Sequence, residues 1–303
     1  MKSPGTTTFT VLMIMAMTAW GGSWTSSKVI ASMAYPEVLI FWRFLFTVIS
    51  FFPIMLIWKK SFSLNRSSLI HIVLGALLLL TYNRFFFWGL QNGMAGAGGV
   101  LVTTLNPLLI FLFSLIIFRR RARARQIIGL ILGLTGGAIL LEIWNLNIGH
   151  LFGSGNAFFI AACIAWASLT IVSEKSKHSI SPLVFSFYVY CCATVIIFPV
   201  SLPLGVFDVF QFGWIFWFNI LYMAFLATTF ATTVYFAASG RLGSEKAGAF
   251  IFLVPFSAVL ISWWILHETP RWYTIVGGII AMSAVYLINI KAKPHPQAVI
   301  ASE

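Results

Sequence analysis

The stretch "LLIFLFSLIIFRRRARARQIIGLILGLTGG", Leu108–Gly137, sets two apolar runs on either side of five arginines packed into the nine residues Phe118–Gln126. Taken alone, Arg119, Arg120, Arg121, Arg123 and Arg125 would suit nucleic-acid phosphate. The flanks decide otherwise. A helix crossing ~30 Å of hydrocarbon needs roughly 20 apolar residues, and each flank is the inner part of such a run. The arginines therefore read as the turn between two membrane spans, with anionic lipid headgroups as their expected partner and no nucleic acid.

Composition extends this reading to the whole chain. Of 303 residues, 60% are hydrophobic and 9% charged, with 30 Phe and 12 Trp and a mean hydropathy of +0.95. Soluble domains carry roughly 25% charged residues to cover their exteriors. The expected class is an all-α polytopic membrane protein. Cys163, Cys191 and Cys192 lie inside apolar runs and are odd in number, so no disulfide framework, metal site or cofactor is expected. Lys2 and the apolar run after it resemble a signal peptide ending near Ala31–Ala34, but the run is too long for one and has a counterpart later in the chain.

Ten windows qualify as spans: 8–30, 37–58, 68–90, 95–118, 125–143, 154–173, 182–203, 213–236, 246–266 and 271–290. Pro36, Gly93, Gly153, Gly155, Pro182, Gly205, Gly240, Gly243 and Pro270 punctuate the short connections. An even number of spans puts both termini on one side, together with every second loop. That side receives Lys2, Lys59, Lys60, Arg66, the five arginines, Lys175, Lys177, Arg241, Lys246, Lys291 and Lys293, against Lys28 and Arg271 opposite. The positive-inside bias makes that side cytoplasmic. The expected location is the cell inner membrane.

The halves echo each other. At an offset of 146, Ala19, Trp20, Ser27, Pro36, Val38 and Phe41 fall on Ala165, Trp166, Ser173, Pro182, Val184 and Phe187. At 148, Pro107, Ser114, Ile117, Gly129 and Ile131 fall on Pro255, Ser262, Ile265, Gly277 and Ile279. Five spans per copy is odd, so the second copy enters the membrane inverted, as in many secondary transporters. The expected units are 1–147 and 148–293, followed by a cytoplasmic tail, 294–303.

"AWGGSW" (Ala19–Trp24), "WRFLF" (Trp42–Phe46), "LNPLL" around Pro107, and a second half with Pro255 in span nine, Glu268 at its outer end and Gly277–Gly278 in span ten resemble the EamA family of the drug/metabolite transporter superfamily. The likeness covers nearly the whole chain. One departure is Arg120, where many relatives have an acid matching Glu268. The resemblance implies a ten-helix inner-membrane carrier, often an exporter of amino acids or related metabolites.

Ionisable groups at membrane depth are costly and face a cavity or a partner. Arg43 and Arg84 lie about two turns into spans two and three from the outer face, near Lys28. Together they would make an outer cavity that suits a carboxylate or phosphate; separately each would bond a neighbouring carbonyl or snorkel outward. Trp20, Trp24, Tyr82, Trp166, Tyr188 and Tyr235 are candidate binding aromatics, with belt and packing roles as the bland reading. Trp20 and Trp166 occupy equivalent repeat positions and would form two walls around an apolar side chain. Pro107 and Pro255 are candidate hinges. Gly129, Gly133 and Gly137 form a small-residue ridge echoed by Gly277 and Ala281.

No enzyme is expected: "HET" at His267–Thr269 lacks the second histidine of a zinc helix, and "GAGG" at Gly96–Gly99 does not complete a dinucleotide fingerprint. All seven acids fall at span ends, in loops or in the tail, so no mid-membrane carboxylate relay is expected and coupling is absent or carried by substrate exchange. The leading reading is an alternating-access exporter of amino acids or related compounds. An importer or exchanger of a nucleoside-type or phosphorylated metabolite, and a non-transporting scaffold or receptor, are the alternatives. Cysteines placed at Ser61 and Gln297 of a variant lacking the native cysteines should label only from the cytoplasm, and one at Gly153 only from outside. External labelling at Ser61 overturns this topology.

Overall fold

The structure, a computed structural model, describes residues 6–59, 62, 64–117, 124–142, 144, 148–176, 179–235 and 250–289. Among these, all regular structure is helical: α1 (Thr6–Ala31), α2 (Pro36–Ile57), α3 (Arg66–Asn92), α4 (Ala95–Ile117), α5 (Ala124–Leu140), a short α6 (Ile148–Gly153), α7 (Asn156–Ser176), α8 (Pro182–Ser201), α9 (Trp214–Leu221, continuing through a π-helical stretch Tyr222–Phe230 to Tyr235), α10 (Leu253–Leu266) and α11 (Trp272–Asn289). Every window expected to span therefore holds a helix. Arg119, Arg120, Arg121 and Arg123 lie outside the described residues, as do Arg241, Lys246, Lys291 and Lys293.

Six of these helical runs are long and apolar enough to cross a membrane: Pro36–Ile57, Arg66–Asn92, Ala95–Ile117, Asn156–Ser176, Pro182–Leu204 and Trp214–Tyr235. The described parts of α5, α10 and α11 are apolar but shorter. α1 is long, at 26 residues, yet its second half mixes tryptophan with Gly, Ser and Thr. That composition fits its interior place, since Thr25, Ser26 and Ser27 are all buried.

Local chemistry sets the helix ends. α2 and α8 both begin with proline at the first helical position, after an extended Tyr35 or Ser181; the fixed φ of proline suits that site and its missing N–H costs nothing there. Asn65 caps α3, its Oδ1 accepting from Ser68 N at 2.7 Å. Pro107 lies deep in α4, whereas Pro255 is the third residue of α10, just after a 3-10 turn at Phe250–Phe252. The two candidate hinges thus differ: only Pro107 interrupts an established α-helical ladder.

The helices pack in a definite set of pairs. α5 lies along α11, α3 on α7 and α8, α1 on α10 and α9, α4 on α7 and α10, and α2 on α8 and α9. Span four lies beside span nine, as sequence symmetry suggests. Span one is not principally beside span six: α1 takes α10 and α9, and α7 takes α3 and α4. One end of the bundle gathers the α2–α3 and α7–α8 connections, where Ser68 Oγ donates to Ser179 O at 3.3 Å. The other gathers the α3–α4, α5–α7 and α10–α11 connections, where Trp144 stacks on Trp272 with centroids 5.6 Å apart.

Between apolar helices in lipid, close backbone approach takes over from the hydrophobic effect. A Cβ on Gly136 would lie 2.7 Å from Ala281 N, and one on Gly277 2.9 Å from Gly136 O. The α5–α11 contact thus uses Gly277 and Ala281 as expected, but meets them with Gly136 rather than Gly137, beside which nothing lies within 4 Å. Gly136→Leu should lower the thermal stability of the purified protein by about 1–3 kcal/mol through overpacking, while Gly137→Ala leaves it unchanged or slightly raised. Equal melting temperatures for the two variants would show that the helices do not meet this way.

Candidate functional site

α2 carries Arg43 into the interior one position after Trp42, whose indole N–H donates to Val206 O at 2.8 Å. The guanidinium Nη1 donates to Asn83 Oδ1 of α3 at 3.1 Å, and Nη2 reaches Thr228 Oγ1 of α9 at 3.5 Å. Its Nε is buried and has no partner among the described residues. Asn83 is aimed by its own amide, which donates to Leu79 O at 2.9 Å. Thr228 is aimed by the π stretch: its hydroxyl donates to Met223 O, five residues back, at 2.8 Å. π turns inside α-helices recur at functional sites. The Tyr82 and Tyr190 hydroxyls lie within electrostatic range of Arg43. Tyr82 also leans on Trp166 of α7, with centroids 4.9 Å apart.

Arg43 is therefore a partly buried cation whose hydrogen-bond partners among the described residues are all neutral. The other cations of this part of the molecule are placed differently. Arg84 Nε meets Glu37 Oε1 at 2.8 Å; the arginine side chain is 53% exposed and the glutamate 6%. Arg84 thus turns outward while its neighbour Asn83 turns in, and the two arginines do not share a cavity. Lys28 donates to Leu90 O and to Gly93 O, the second at 2.8 Å, at the end of α3. Glu268 accepts from Ala95 N and Gly96 N, each at 3.0 Å, at the start of α4. An acid from the α10–α11 connection and a base from α1, attracted to each other, thus grip both sides of the α3–α4 turn, each where the helix dipole favours its charge.

The remaining sequence candidates separate into groups. Trp166 and Tyr82 adjoin Arg43. Trp20 sits instead against Tyr235, centroids 5.7 Å apart, in a second apolar cluster with Met13, Met17 and Val254, so Trp20 and Trp166 do not face each other across one space. Trp24 is core, edge-on to Phe86 and Phe159. Tyr188 donates to Phe62 O at 2.7 Å, at the α2–α3 end of the bundle. Sequence reasoning passed over Asn83, Tyr190, Thr228 and the partnership of Glu37 with Arg84. A signal existed for Thr228: "ATTFATT", Ala227–Thr233, sets two threonine doublets four residues apart inside a span.

The bundle of long apolar helices is that of a multi-pass membrane protein, and comparisons with known proteins give its family. Residues 8–141 and 153–290 each match the EamA-like transporter family, and the chain belongs to that family. It is 25% identical to an uncharacterized transporter of Archaeoglobus fulgidus, over 93% of this chain and 97% of the relative. It is 24% identical to a probable amino-acid metabolite efflux pump of Salmonella typhimurium, over 91% and 93%. A solved crystal structure, 17% identical, shares the fold with a TM-score of 0.63 over 93% of this chain and 96% of that one. Family and relatives are transporters, not enzymes.

Two charge-assisted bonds hang on Glu268. Glu268→Ala should cost about 1–3 kcal/mol, because it orphans two amide N–H groups at a helix start, and Glu268→Gln should cost less. Thermal unfolding in detergent checks the order; an unchanged melting temperature for the alanine variant removes the cap.

Proposed function

We propose that this protein is a secondary transporter that moves small organic metabolites across the inner membrane by alternating access. Its ten helices α1–α5 and α7–α11 form two inverted halves, both termini lie in the cytoplasm, and Arg43 binds an anionic group of the substrate. The observation that carries this reading is the Arg43 environment: a partly buried guanidinium held by Asn83 and Thr228, with its buried Nε unpartnered and no carboxylate paired with it among the described residues. On insertion scales a cation at the centre of a helix costs ~2.5–3.5 kcal/mol, and a substrate carboxylate would offset that cost. Tyr82, Tyr190 and Trp166 then flank the bound group.

Several observations support the inverted halves. Principal contacts come in exchange-related pairs: α3 on α7 answers α1 on α9, α4 on α7 answers α1 on α10, and α3 on α8 answers α2 on α9. The α3–α7 and α1–α9 interfaces each hold one Trp–Tyr pair, Trp166 with Tyr82 and Trp20 with Tyr235. Pro53 and Pro199, 146 positions apart, both lie inside their helices. Export of amino acids or related compounds is the reading that the Salmonella relative's name favours. Arg84 leaves the substrate site in this scheme, and Trp20 with Tyr235 belongs to the other side of the midplane.

The test is flux of labelled acidic, zwitterionic, phosphorylated and cationic solutes in proteoliposomes carrying wild type, Arg43→Gln or Arg43→Lys at matched insertion. Arg43→Gln should lose at least tenfold for carboxylate solutes, with Arg43→Lys between, because ammonium lacks the planar fork. Loss confined to phosphorylated solutes would move the substrate class to those. Undiminished flux for every solute removes Arg43 from the site.

A further inference from the structure

The outward face of α3 is lined by Ile70, Leu74, Leu77 and Thr81, all exposed and spaced as one helical stripe. In a bundle immersed in lipid this stripe meets acyl chains. Arg84 continues the same stripe. It lies eight residues before the helix end at Asn92, about 12 Å at 1.5 Å per residue. Twenty-seven residues make α3 about 40 Å long against ~30 Å of hydrocarbon. Arg84 is thus rooted roughly 7 Å beneath the hydrocarbon edge, within reach of the phosphate layer for a long side chain that snorkels.

Its guanidinium is also held in place. Glu37 takes Nε from the buried side, and the Trp88 ring, one turn nearer the helix end, lies 4.8 Å under Cζ. These are its contacts among the described residues, so the two terminal Nη groups, side by side on a side chain that is 53% exposed, are left for a further acceptor. Two parallel N–H donors in one plane match two oxygens of a phosphate. Glu37 does not cancel the charge completely, since its carboxylate sits in the first turn of α2, where the helix dipole already favours a negative group.

We propose that Arg84 and Trp88 form a lipid-facing site for the phosphate of a membrane phospholipid, in the leaflet on the α3–α4 side of the bundle. Arg84 supplies the paired Nη donors, Trp88 the stacking platform, and Glu37 positions the guanidinium without touching the lipid. The ligand class is a phosphodiester anchored by acyl chains, which lie along Leu77, Leu74 and Ile70. This site is independent of the substrate site and of the direction of transport.

The test uses the full chain, purified in detergent and stripped of lipid, with phosphatidylglycerol, digalactosyl diacylglycerol (which lacks phosphate) and inorganic phosphate as probes. Native mass spectrometry counts bound lipid, and melting temperature reports stabilisation. Wild type should bind phosphatidylglycerol roughly tenfold more tightly than Arg84→Gln, with Arg84→Lys and Trp88→Leu between. Digalactosyl diacylglycerol should bind all variants alike. Should Arg84→Gln fail to fold, the comparison of wild type with Arg84→Lys carries the test. Equal phosphatidylglycerol binding by wild type and the folded variants overturns the site. Displacement of the lipid by millimolar inorganic phosphate overturns its assignment to a lipid.

Discussion

Hydrocarbon offers a chain nothing to hydrogen-bond with, and this one deficiency shapes the molecule. Every backbone N–H and C=O at membrane depth must be satisfied inside the protein, and helices do this segment by segment. Side chains obey the same rule. Thr103 and Thr104 donate back to Gly99 O and Val100 O, and Thr170 to Trp166 O, so that these three hydroxyls close on their own helices. Helices that share this solvent gain little by hiding apolar surface from it. Cohesion falls to close contact, which is why Gly136 and Gly277 bring two backbones together where larger side chains would hold them apart.

Under that rule a charge is never neutral background, and three basic groups, Lys28, Arg84 and Arg43, handle it in three ways. Lys28 spends its ammonium on carbonyls at a helix end, where the dipole is negative. Arg84 meets a carboxylate and leaves the interior. Arg43 stays inside, partly buried, with neutral oxygens as its hydrogen-bond partners among the described residues. The last arrangement is costly for a resting structure and useful for one that awaits an anion.

Most of the fold was legible because it follows from counting. Each apolar window holds a helix, six of the helical runs being long and apolar enough to cross a membrane, since length and hydropathy are what a bilayer selects, and Pro36 and Pro182 marked two helix starts through their backbone chemistry alone. The site was legible only in part. Arg43 and Arg84 stand at similar depths, but depth does not say which way a side chain points. A neighbour such as Asn83 can face the interior while Arg84 faces out, because adjacent helical residues differ by about 100°. Trp20 and Trp166 lie 146 positions apart in matching sequence contexts, but a shared context does not bring two residues together, and each sits against its own tyrosine, Tyr235 and Tyr82. The ridge residue shifted from Gly137 to Gly136 for a similar reason: a spacing of four describes a stripe, and the partner helix selects which edge of it is touched.

The widened turns of α9 have a mechanical consequence. Thr228 reaches Met223 O across five residues and meets Arg43 in that register, while Thr229, the next residue, shares a hydrogen bond with Ser50 at 2.5 Å. A helix cannot relax from this winding by degrees. Removing one residue's worth of excess winding turns everything beyond it by about 100°, which would carry both threonines away from α2 at once. The link between α9 and α2 is therefore stepwise, closer to the tooth of a ratchet than to a spring.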